Sequence, residues 1–152
     1  MNKIEKLLPA ALDAAKMFIT TDETQLTIPK QFKGYISSFG ASVIQSGLMP
    51  TLAFYSDAKK AKGDRSMLIP ALIFILFENK LFEIDEAIKQ TILDVAKKGK
   101  ELPKVIHSLF DWLLKTNGDT PERLRKELMD ASIALKLALR TFREEDKPKK
   151  QK

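Results

Sequence analysis

The sequence predicts an all-α protein, a single-domain bundle of six or seven helices. Three observations carry that prediction. Apolar residues recur three and four positions apart along almost the whole chain, the spacing that lines one face of a helix. No stretch alternates apolar and polar residues over a useful length, and the nearest to it, 24–28, is short. The 152 residues, 44% of them hydrophobic, suit one domain with its own core rather than a disordered chain.

The first segment, 3–19, carries Ile4, Leu7, Ala11, Ala14 and Phe18 on one stripe, and the polar residues 20–27 read as a loop. The second, 29–46, repeats Phe32, Ile36, Phe39 and Val43 at helical spacing. Pro29 suits its first turn, whose amides lack intrahelical partners. Gly47 reads as a helix stop in the left-handed conformation, with Leu48 folding back on the helix. Pro50 opens a third segment running to about residue 60, followed by a basic loop at 61–64. The fourth segment, 66–79, is hydrophobic all round and belongs at the centre of the bundle. Its uncharged run, 67–77, is about half of the roughly 20 residues that a membrane span needs.

In the fifth segment, 85–98, Ile84, Ile88, Ile92 and Val95 line one face, and Gly99 ends it. The sixth, 102–115, places Leu102, Ile106, Leu109 and Leu113 on another, before the stop signal Asn117-Gly118. Thr120-Pro121 then reads as N-cap and first turn of the seventh, which is expected to run to about residue 145. Its core stripe is Leu124, Leu128, Ala131, Leu135, Ala138 and Phe142. The expected organisation is a helical domain over 1–146 and a basic, disordered tail over 147–152.

Composition narrows the function. There is no cysteine, which excludes a disulfide scaffold, a thiolate zinc site and a cysteine nucleophile. A single histidine, His107, leaves nothing for a multi-histidine metal site, so no metal or cofactor is expected. P-loop, HExxH and nucleophile-elbow patterns are all missing. Glu83, Asp85 and Glu86 read as a helix start stabilised by its dipole, and Glu144-Glu145-Asp146 as a solvated helix end. Phe110 and Trp112 read as core, although an exposed aromatic can also stack on a base. The chain is therefore expected not to be an enzyme. Its N-terminus lacks the apolar core of a secretory signal, so a cytoplasmic location is expected, away from membranes.

The net charge is +6, and it is unevenly placed. Residues 66–96 hold two basic and five acidic side chains, whereas 120–152 hold ten basic and six acidic. At about 100° per residue, Lys136, Arg140, Arg143 and Lys147 fall in one arc of a continuous helix. Such a stripe can track phosphates, since each cation displaces counterions from a polyanion. It can equally be a solvated face that complements the helix C-terminus. Lys59, Lys60 and Lys62 form a second, weaker cluster. On the same last helix Met129, Ile133 and Leu137 lie off the main stripe. They suit either a central helix with contacts all round or a face covered by another subunit.

Two stretches carry a resemblance. One is Phe39-Gly40-Ala41-Ser42-Val43-Ile44-Gln45-Ser46-Gly47-Leu48 with Thr51-Leu52-Ala53-Phe54-Tyr55 and Tyr35 ahead of it. The other runs from Leu128 through Lys136 and Arg140 to Phe142. Together they resemble the small α-helical subunit of the type III-B CRISPR–Cas effector, the Cmr RNA-silencing complex. The resemblance implies a non-catalytic subunit that stacks with copies of itself along larger Cas subunits. It would help form the groove for guide RNA and target RNA in antiviral defence. On that reading Lys136, Arg140 and Arg143, with Lys59, Lys60 and Lys62, are the expected phosphate contacts, largely independent of base sequence. The rival readings are the type III-A small subunit, a helical DNA-binding or regulatory protein, and a protein–protein adaptor. For a DNA reader the segment at Asp85 is acidic where a recognition helix should be basic.

Overall fold

The computed structural model describes residues 2–22, 24, 26–56, 65–81, 86–98, 107–112, 115 and 121–144. Several sequence expectations fall outside these residues: Lys59, Lys60 and Lys62, the 61–64 loop, Ile84, much of the sixth segment, and the tail.

The helices are α1 (Lys3–Ala14), α2 (Phe32–Ser46), α3 (Leu48–Tyr55), α4 (Leu68–Glu78), α5 (Glu86–Lys98), α6 with described residues 107–112, and α7 (Pro121–Leu139). Asn2 opens α1 with a capping box: its side chain accepts from the Glu5 amide, and the Glu5 carboxylate accepts from the Asn2 amide. One π-helical turn, Ala15–Ile19, continues α1 and sets Phe18 and Ile19 into the core. Thr20 closes it, its hydroxyl donating to the Lys16 carbonyl at 2.7 Å.

α4 is buried from Leu68 to Leu76, as its all-round hydrophobicity requires. Pro70 stands in its first turn, where a missing amide costs no hydrogen bond. α1, α4 and α7 pack on one another around this element, and α2 packs on the flank of α7. The predicted stripes are largely buried: Leu7, Ala11 and Ala14 on α1 with Phe18 on the π turn, and Ile4 partly so; Phe32, Ile36, Phe39 and Val43 on α2; Leu124, Leu128, Ala131, Leu135 and Ala138 on α7. Edge-to-face rings knit the helices, Phe18 to Phe74 and Phe39 to Tyr55. No helix among the described residues is long and apolar enough to cross a membrane.

Four details depart from the sequence reading. α2 begins at Phe32 rather than Pro29, because Thr27–Ile28 are a short strand, β1. α3 begins at Leu48 and stops at Tyr55, where the Ser56 hydroxyl caps the Leu52 carbonyl at 2.7 Å. Gly47 has φ 94° and ψ 165°, which is not the left-handed helical well but an extended region that only glycine enters cheaply. That kink lets one residue serve both α2 and α3, with Leu48 buried behind it. Lastly, α7 does not run to residue 145. It ends at Leu139, Phe142 turns inward, and Arg143–Glu144 form a second strand, β2, parallel to β1. Two bonds replace the helical ladder there: the Thr141 hydroxyl donates to the Ala138 carbonyl at 2.8 Å, and the Arg143 amide donates to the distant Leu26 carbonyl rather than back along the helix.

Candidate nucleic-acid interface

The end of α7 decides where the cations stand. Lys136 lies in its last turn, Arg140 is the first residue beyond it, and Arg143 is on β2; all three are exposed. The single helical arc expected for Lys136, Arg140, Arg143 and Lys147 therefore does not exist, since the helix stops before two of them and Lys147 lies outside the described residues. Glu144 is likewise a strand residue, not a helix end.

The strand pairing compensates. Thr27 stands opposite Arg143 and Ile28 opposite Glu144, so the polar loop before α2 is fastened to the chain after α7. A Cβ at Gly40 on α2 would lie 3.6 Å from the Met129 Cε on α7, while Lys33 near the start of α2 reaches Glu144 at 3.8 Å. These two contacts make α2 and α7 antiparallel, with the first turn of α2 beside the last turn of α7. Lys30, exposed, and Lys33, 39% exposed, thus join Lys136, Arg140 and Arg143 at one end of the molecule. Sequence reasoning missed these two lysines. Only the pairing of 27–28 with 143–144 could have revealed them, and two residues of parallel strand leave little periodic trace.

Among the described residues Lys136, Arg140 and Arg143 have no ion-pair partner. The Lys33–Glu144 pair is so exposed that water screens most of its attraction. Other cations are committed within the chain. Lys3 Nζ donates to the Glu127 carboxylate and lies 3.1 Å from Asp130 Oδ2. Arg123 donates to the Leu81 carbonyl, and Lys115 pairs with Asp111 at 3.0 Å. The hydrogen bond to Glu127 is the main reason that the Lys3 ammonium holds its proton above the ordinary lysine range, against a smaller opposing cost of burial. The α7 C-terminus also favours cations by its own dipole, which contributes to Lys136 whatever else it meets.

The second apolar side of α7 divides. Met129 packs against α2 at Gly40, whereas Ile133 is 45% exposed, as is Ile44 of α2 at 67%. His107 is exposed on α6, and Phe110 and Trp112 pack partly against the core, where the sequence placed them.

The family described as CRISPR-associated protein (Cas_Cmr5) matches over residues 9–141. No curated protein and no solved structure matches.

Proposed function

This chain belongs to the Cas_Cmr5 family, the small subunit of the type III-B Cmr complex, and from that membership we propose that it is a non-catalytic, RNA-contacting scaffold within that effector. It stacks with copies of itself beside the larger Cas subunits and contributes a cationic surface to the groove that holds guide RNA and target RNA, in antiviral defence in the cytoplasm. The observation that carries this reading is the cationic end: Lys30, Lys33, Lys136, Arg140 and Arg143 gathered where α2 begins and α7 ends, with Lys33 paired to the exposed Glu144 carboxylate.

The chemistry of such a surface is phosphate neutralisation. Lysine and arginine on separate elements match a flexible backbone without reading base edges, and base pairing with the guide supplies sequence choice. Each contact is individually weak, and repetition along stacked copies makes the sum effective. Exposed Ile133 and Ile44, on packed α7 and α2, are the apolar side chains offered to a neighbouring subunit. The family match favours the type III-B assembly over its type III-A counterpart.

The test uses the assembled effector. A Lys136→Ala, Arg140→Ala, Arg143→Ala variant is expected to co-purify with the other Cas subunits and to retain less target RNA on a filter at moderate salt. Unchanged retention by a fully assembled complex would remove the phosphate role.

A further inference from the structure

A second feature is built on α3. Phe54, on the outer face of α3, is 56% exposed, among the large hydrophobic side chains left in water. Exposure of one phenylalanine is not unusual by itself, but this ring is built into a small platform. The Arg65 guanidinium lies over it, 4.1 Å from the centroid, and Arg65 Nε donates to the Phe54 carbonyl at 3.3 Å. Tyr55 meets the ring edge-on at 5.2 Å. Tyr55 is itself fixed, buried against Phe39 and donating its hydroxyl to the Tyr35 carbonyl at 2.8 Å. Burial pushes the Tyr55 phenol up, so this anchor stays protonated and keeps donating.

An exposed aromatic ring with a half-buried guanidinium centred over its face and Tyr55 against its edge has the composition of a base-stacking site. Bases stack on phenylalanine rings and on arginine planes alike, and the cation adds attraction for the adjoining phosphate. We propose that Phe54 and Arg65 stack an unpaired RNA base, independently of its identity, giving this chain a contact to RNA that phosphate neutralisation does not supply. The proposal rests on the RNA-contacting reading above and deepens it.

The test is photocrosslinking of the assembled effector loaded with RNA carrying 5-iodouridine, which couples to stacked aromatic rings, followed by mass mapping of the adduct. The expected result is an adduct at Phe54 that Phe54→Trp keeps and Phe54→Leu loses. Bound RNA with no adduct at Phe54 would overturn the stacking site while leaving the phosphate reading standing. Failure of the phosphate reading would instead be seen as RNA retention indifferent to Lys136, Arg140 and Arg143. A benzoylphenylalanine placed at position 54 that couples to another Cas protein, and not to RNA, would overturn the proposal in favour of a protein interface.

Discussion

Lys3 shows how one side chain ties the N-terminus to the last helix. Its ammonium bridges Glu127 and Asp130, one turn apart on α7, and Glu127 is only 10% exposed. A carboxylate so shielded needs a partner, because losing its hydrogen bond leaves a desolvated charge. Lys3 itself is 38% exposed, so water screens part of the gain, and Lys3→Met is expected to cost about 1 kcal/mol. The pH dependence has a definite sign. The folded pKa lies above the ordinary 10.5, so the stabilisation is fully present below pH 10.5 and disappears as pH rises through the folded value. Thermal melts of wild type and Lys3→Met should therefore differ at pH 8 and converge in strong alkali. A gap of constant size across that range would mean that the contact is packing rather than charge. Arg65 and Phe54 make the complementary point, since their contact holds a cation and a ring at the surface where both can meet a ligand.

Among the elements, α2 exposes the logic of its glycines. A Cβ at Gly34 would meet nothing within 4 Å, so Gly34→Ala should stabilise α2 by about 0.5–1 kcal/mol through backbone entropy alone. Gly47→Ala should do the opposite, by about 1–3 kcal/mol, because φ +94° is closed to a side chain. Urea unfolding of the two variants checks both signs. The helices were legible in the sequence where burial is one-sided or complete, as in the Phe32, Ile36, Phe39, Val43 stripe and the apolar α4. The end of α7 was not. Residues 140–145 keep the spacing of a helix, with Phe142 on the expected stripe, and no helix breaker follows until Pro148. What stops the helix is a pairing with residues more than a hundred positions away, and no local periodicity encodes a partner at that distance. The candidate site inherited this limit. Helical periodicity puts Lys136, Arg140 and Arg143 on one ridge, whereas they stand on three consecutive pieces of structure, and Lys30 and Lys33 join them only through the fold.

At the scale of the whole molecule, the net charge of +6 says only that polyanions are attracted, while its placement says how. The charge that matters gathers at one end because β1–β2 pairing and antiparallel packing of α2 on α7 bring two cationic termini together. Ile44 on α2 and Ile133 on α7 stay exposed, which suits the proposed contact with neighbouring subunits. If this end touches phosphate, counterion release gives the contact a number. Each phosphate contact contributes roughly 0.7 to the logarithmic salt slope for a single strand. The decisive measurement is RNA affinity of the assembled effector across a salt titration, with wild-type protein and with Lys30, Lys33, Lys136, Arg140 and Arg143 all changed to Ala. A slope shallower by roughly 3.5 is expected if all five engage phosphate; parallel lines would contradict a phosphate role for this end.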